Sequence, residues 1–127
     1  MSRDGKGREE QGREEQGREE KPGPEVLDLL HRTILSRRGA DPESSHTARL
    51  FARGRAKIAQ KVGEEAVETV IEAIRGDRAK LAEESADLLY HLLVLWADAG
   101  VEPAEVYAIL DGRRGVSGVE EKKNRKR

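Results

Sequence analysis

Between residues 26 and 110 the apolar positions recur at helical spacing. Val26, Leu27, Leu29, Leu30, Ile34 and Leu35 fall on one stripe that stops at Ser36-Arg37-Arg38-Gly39, which predicts a first helix ending there. Asp41 to Ser45 holds Pro42 and two serines, so it reads as a loop offering Ser45 or Thr47 as the N-cap of the next segment. From about Thr47 to Arg75 the helical pattern continues, bent or interrupted near Gly54 and broken at Gly76. Asp77 can cap a long helix running to about Ala99 and ended by Gly100. Pro103 then sits where a first helical turn tolerates it, opening a last helix to about Leu110. The expected fold class is all-α, a bundle of four to five helices without strands.

The two ends do not share this pattern. Residues 7 to 21 repeat GREEQ-GREEQ-GREEK before Pro22-Gly23-Pro24, and the repeat contains no apolar side chain able to dock on a core. From Gly115 the chain runs into EEKKNRKR. The expected organisation is a charged, solvated tail over 1–23, one helical domain over 24–114 and a solvated basic tail over 115–127. Composition agrees with a helical domain: of the 127 residues 39% are charged and only 3% aromatic, so Ala, Leu, Val and Ile supply the apolar surface. There is no cysteine, the start MSRDGKGREE has no apolar leader core, and the apolar run Leu92 to Ala97 is too short to span a bilayer. A cytoplasmic protein, not bound to membrane, is expected. A formal net charge of -1 supplies no basic field for nucleic acid, so a phosphate ligand needs local cations.

Those cations and a set of carboxylates occur in KIAQKVGEEAVETVIE. On a helix Lys57, Lys61, Glu64, Glu65, Glu68 and Glu72 share one face, and Val62, Ala66, Val70 and Ile74 form an opposite stripe expected to be core. In the next helix Glu84, Asp87 and His91 share an edge, with Leu81, Ser85, Leu88, Leu89, Leu92 and Trp96 on the other side. If the two helices pack antiparallel through Gly76-Asp77, the EExxE of one faces the ExxD of the other. Four carboxylates then converge, an oxygen-only set suited to Mg²⁺ shared with substrate phosphates, which Lys57 and Lys61 can reach as point charges. The same residues also fit a plain solvated face: Lys61 and Glu65 are an ordinary i, i+4 pair, and single ExxE strings are common in helices. Against that, Asp is a poor helix former and Asp87 sits mid-helix before Leu88-Leu89. His91 fits a hydrogen-bonded bystander better than a ligand.

SSHTARLFARGRAKIAQKVGEEAVETV followed by GDRAKLAEESADLLYHLLVLWADAGV resembles the phosphoribosyl-ATP pyrophosphatase family of histidine biosynthesis, over roughly residues 25 to 112. That family is related to the all-helical nucleoside triphosphate pyrophosphatases, whose paired ExxE and ExxD motifs bind Mg²⁺. The resemblance implies a metal site of Glu65, Glu68, Glu84 and Asp87 with Glu64 beside it. It also implies hydrolysis of phosphoribosyl-ATP by water to phosphoribosyl-AMP and pyrophosphate, and a homodimer; the apolar stretch Leu88 to Trp96, read from the sequence itself, is the expected interface. Glu64, Glu65 and Glu68 are the candidate catalytic carboxylates, the choice of base being open. Lys57 and Lys61 are expected to bind substrate, and the stretch Ser44 to Arg55, with Ser45 and Thr47, to meet the phosphoribosyl group. A related enzyme clearing non-standard nucleoside triphosphates would use the same metal residues, and a non-catalytic helical interaction module would use none. The GREEQ repeat has no counterpart in the family pattern.

Residues 1 to 21 carry six basic against seven acidic side chains and no apolar residue beyond Met1. Their deletion is expected to leave hydrolysis within about twofold of the full chain. A loss of more than tenfold in a steady-state assay of the truncated protein would show that the tail contributes to the site.

Overall fold

A computed structural model describes residues 21–115, so both expected tails lie almost wholly outside the described residues. Among the described residues there are five helices and no strand: α1 (Glu25–Ser36), α2 (His46–Arg53), α3 (Arg55–Arg75), α4 (Arg78–Ala99) and α5 (Pro103–Gly112). The chain divides into two compact units, Met1–Leu30 and His31–Arg127. In the first, the described helix is the N-terminal half of α1, where Val26 and Leu29 are exposed.

Each helix boundary has a local cause. Ser45, rather than Thr47, caps α2: its Oγ accepts from the Ala48 N–H at 3.1 Å. Gly54, at φ 95°, lets the chain turn between α2 and α3 without a Cβ in the way. At the α3–α4 junction Gly76 adopts the left-handed conformation (φ 80°), where its N–H meets the last carbonyls of α3, and the Asp77 carboxylate accepts from the Lys80 N–H at 3.0 Å. This two-residue connection folds α4 back along α3. Pro103 opens α5, buried, inside a reciprocal cap between Glu102 and Glu105.

The α3–α4 hairpin is the body of the unit, and α2 packs against both helices. Its core is small: Ile58 from α3, Leu93, Val94 and Ala97 from α4, Ala48 and Leu50 from α2, and Ile34 from the end of α1. Polar ties fix α2 and its flanks to the C-terminal half of α4. Arg55 Nε donates to Asp98 Oδ2 at 2.9 Å, Arg38 Nη1 donates to the Ala97 carbonyl at 2.7 Å, and the Thr47 and Tyr90 hydroxyls hydrogen-bond each other.

In two places burial departs from the sequence pattern. The stripe Val62, Ala66, Val70 and Ile74 is not the core of α3, since Val70 is 60% exposed and Ile74 83%. The face turned toward α4 instead carries Ile58, Val62, Glu65, Thr69 and Glu72, a rotation of about 100° from the expected one. Burial of Ile58 sets that rotation, and it carries Glu65 and Glu72 into the seam while leaving Val67, Val70, Ile71 and Ile74 exposed. Likewise, Leu88 to Trp96 is not an open apolar strip: Leu93 and Val94 are fully buried inside the chain, as is most of His91, and of that stretch Leu89 is exposed at 44%. Periodicity ranks faces by hydrophobicity, and in α3 the more apolar face is not the one that meets α4.

Replacing Asp77 by Ala removes the α4 cap and is expected to destabilise the fold by about 1 kcal/mol, lowering Tm by several degrees. An unchanged melting curve would mean the connection does not depend on that cap.

Candidate metal centre

Glu65 projects from α3 and Glu84 and Asp87 from α4, one turn apart on the same edge. Each offers a carboxylate oxygen, and the three oxygens lie within 4.8 Å of one another. Helix periodicity explains the arrangement: the short turn at Gly76-Asp77 sets Glu65, in the middle of α3, across from the second turn of α4.

The cluster is electrostatically unfavourable by itself. Glu84 is held above the usual carboxylate range, first by partial burial, then by the charges of Asp87, Glu65 and Glu68, and by a hydrogen bond with Glu65. A carboxyl raised in the folded state binds its proton more tightly there than in the unfolded chain. Its contribution to stability therefore declines as pH rises from the unfolded value through the raised one, and the deficit persists at neutral pH. A divalent cation reverses that balance, and an all-oxygen donor set of this charge suits a hard one.

Residues 27–114 match the family described as phosphoribosyl-ATP pyrophosphohydrolase. The chain belongs to that family. It is 69% identical over 101 residues to the phosphoribosyl-ATP pyrophosphatase of Azospirillum brasilense, covering 80% of this chain and 91% of that protein. To the protein of the same name from Paramagnetospirillum magneticum it is 61% identical over 101 residues, 80% and 93% of the two chains. To that from Rhodospirillum rubrum it is 55% identical over 106 residues, 84% and 91%.

In this member of the phosphoribosyl-ATP pyrophosphohydrolase family the remaining expected site residues divide into two groups. Close to the cluster, Glu68 lies one turn beyond Glu65, exposed, near enough to raise Glu84, and without a hydrogen-bond or ion-pair partner among the described residues. Lys61 Nζ stands 3.4 Å from Glu64 and 4.0 Å from Glu65. Glu64 is not one of the three carboxylates that converge. It accepts from Gln60 Nε2 at 2.7 Å, and that hydrogen bond, followed by the one from Lys61, holds it below the usual carboxylate range, making it a weaker base. Lys57 reaches only Gln60, at 3.5 Å. Further along α4, Ser45 is engaged as the α2 cap and Thr47 with Tyr90.

Between these groups stands an aromatic cluster in which His91, expected beside Glu84 and Asp87, is joined by His46 and Tyr90, which the sequence did not mark. His46 stacks on Tyr90 with centroids 6.2 Å apart, and Tyr90 meets His91 edge-on at 4.9 Å. His91 Nδ1 contacts the Asp87 carbonyl at 2.8 Å, as a hydrogen-bonded bystander would, but its Nε2 is buried without a partner. His46 is held below the usual histidine range by burial first, then by Arg49, His91 and Lys61, and is neutral at physiological pH. Tyr90 follows Asp87 by three residues, which is the signal that could have found it; His46 gives none before α2 is docked.

Addition of Mg²⁺ is expected to raise the Tm of the wild-type chain at pH 7. Glu84→Gln should raise the metal-free Tm by removing the repulsion and should abolish the Mg²⁺ increment. A Glu84→Gln protein stabilised by Mg²⁺ as much as wild type would place the cation elsewhere.

Proposed function

We propose that this chain hydrolyses phosphoribosyl-ATP to phosphoribosyl-AMP and pyrophosphate in histidine biosynthesis, with Mg²⁺ held by Glu65, Glu84 and Asp87 and with Glu68 free beside them. The observation that carries the reading is the convergence of three carboxylates from two helices, in a chain of this family. When bound, Mg²⁺ supplies charge neutralisation for the phosphate oxygens as the bond between the α and β phosphates breaks.

The protein's own groups supply the rest. Water attacks phosphorus in line and pyrophosphate leaves, so the water must lose a proton to a nearby acceptor. Of Glu64, Glu65 and Glu68, Glu68 is the best acceptor: Glu65 is committed to the cluster and Glu64 to Gln60 and Lys61. Lys61, and Lys57 one turn earlier, set positive charge beside the acidic group and would attract a polyphosphate there.

The working unit in this reading is a homodimer, and what supports it is the apolar face of α3. Val67, Val70, Ile71 and Ile74 are exposed on one side of a single helix, a contiguous surface of the kind that soluble chains cover. No described helix is long and apolar enough to cross a membrane, which agrees with a cytoplasmic enzyme. A related nucleoside triphosphate pyrophosphatase would keep the metal cluster and differ in preferring common (d)NTPs, so a substrate panel separates the two.

Asp87→Asn is expected to lower turnover of phosphoribosyl-ATP about 10²-fold or more, a loss of about 2.7 kcal/mol, with the helical circular dichroism retained. Full activity in that variant, unaffected by excess chelator, would end the metal-hydrolase reading. Ile74→Asp is expected to shift sedimentation equilibrium from dimer toward monomer; a wild-type chain that sediments as a monomer at micromolar concentration would remove the dimer.

A further inference from the structure

At the far end of α4 from the acidic cluster a cavity of about 360 Å³ opens between the α1–α2 loop, α2 and Asp98. Its one cationic wall is Arg38, whose position is fixed three ways. Nη1 donates to the Ala97 carbonyl at 2.7 Å, Nη2 lies 3.9 Å from Asp98 Oδ1, and the guanidinium stacks over the Phe51 ring at 4.9 Å. The other N–H groups of the fork are left for an anion. Asp98 is the acidic group of the cavity, and its Oδ2 is taken by Arg55 at 2.9 Å, so the pair Arg38 and Arg55 outweighs it by one positive charge. The surrounding chain is basic as well: from Arg32 to Lys61 there are eight Lys and Arg against two acids.

The cavity is aligned with the acidic cluster. Asp98 follows Asp87 by eleven residues, three helical turns plus about 20°, so both lie on one stripe of α4, separated by about 16 Å. Along that stripe the order is the carboxylates, then Lys61 with the His46, Tyr90 and His91 rings, then Arg38. Phosphoribosyl-ATP has the same order: a triphosphate arm, an adenine, and a second sugar phosphate on the opposite side of the base. We propose that the Arg38 cavity receives the terminal 5′-phosphate of the phosphoribosyl arm, and that Arg38 sets the preference for phosphoribosyl-ATP over ATP. The proposal rests on the substrate named above. Pro42, Ala48 and Ala52 leave room beside the guanidinium for the sugar, and the stacked, pre-oriented fork binds a dianion at small entropic cost.

The test uses two variants and a fragment of the substrate. Arg38→Met removes the fork; Ala52→Glu sets a carboxylate into the cavity and touches none of the bonds that hold Arg38. In both, KM for phosphoribosyl-ATP is expected to rise about tenfold or more with kcat within about threefold, the pattern of lost binding shared by ground and transition states. The inhibition constant of ATP, which lacks the arm, is expected to stay within about twofold. Ribose 5-phosphate titrated into metal-free wild type should shift the Arg38 Nε–H and Ala52 amide NMR signals saturably; the Ala52 amide should not move in Arg38→Met, nor the Arg38 Nε–H in Ala52→Glu. If Arg38→Met does not fold, Ala52→Glu decides the matter. A folded Ala52→Glu protein with unchanged KM and unchanged ribose 5-phosphate binding overturns the subsite, as does an equal weakening of ATP and phosphoribosyl-ATP. A wild type that does not cleave phosphoribosyl-ATP instead overturns the proposed function, a result visible before any variant is made.

Discussion

Like charges held together between two helices are the constraint on which the rest of the molecule depends. Glu65, Glu84 and Asp87 bring their oxygens within 4.8 Å, and the cost shows in the raised carboxyl of Glu84. No described cation neutralises all three: Lys61 reaches Glu65 at only 4.0 Å and is shared with Glu64. A fold that concentrates negative charge in this way must restrain it by connections elsewhere. The two-residue turn at Gly76-Asp77, the cap on Lys80 and the packing of Ile58 against α4 serve that purpose.

The same rotation of α3 that carries the carboxylates inward turns its aliphatic side chains outward. In a helix with two faces worth burying, one partner helix cannot cover both. Here α4 takes the face with Ile58, Glu65 and Glu72, and Val67, Val70, Ile71 and Ile74 are left for a second surface. Charge clustering in the seam and apolar exposure outside it are thus one choice of helix orientation. Burial of Glu72, with Oε1 unpartnered and Oε2 3.5 Å from Arg75, belongs to the same choice.

Helix positions were legible in the sequence because their causes are local. Gly76, Gly100, Asp77, Pro103 and the Ser45 loop mark ends by φ preference and capping chemistry, and all five act where expected. The convergence of Glu65, Glu84 and Asp87 was legible for the same reason, since spacing along two helices joined by a short turn fixes their register. Glu68, one turn on, falls beside the group, a difference of a few ångströms that spacing does not resolve. Which face of α3 is core was not legible, because it depends on two competing burials. Nor were Arg38, Asp98 and His46: their juxtaposition comes from α2 lying along α4, and nothing in a single helix announces it.

In this reading the α3–α4 hairpin builds a divalent-cation site from Glu65, Glu84 and Asp87. A crystal of the chain grown with Mn²⁺, a hard cation with the same preference for oxygen and a usable anomalous signal, tests it most directly. An anomalous peak at direct coordination distance, about 2.2 Å, from oxygens of all three carboxylates is the expected result. A crystal saturated with Mn²⁺ in which these side chains bind none would contradict it.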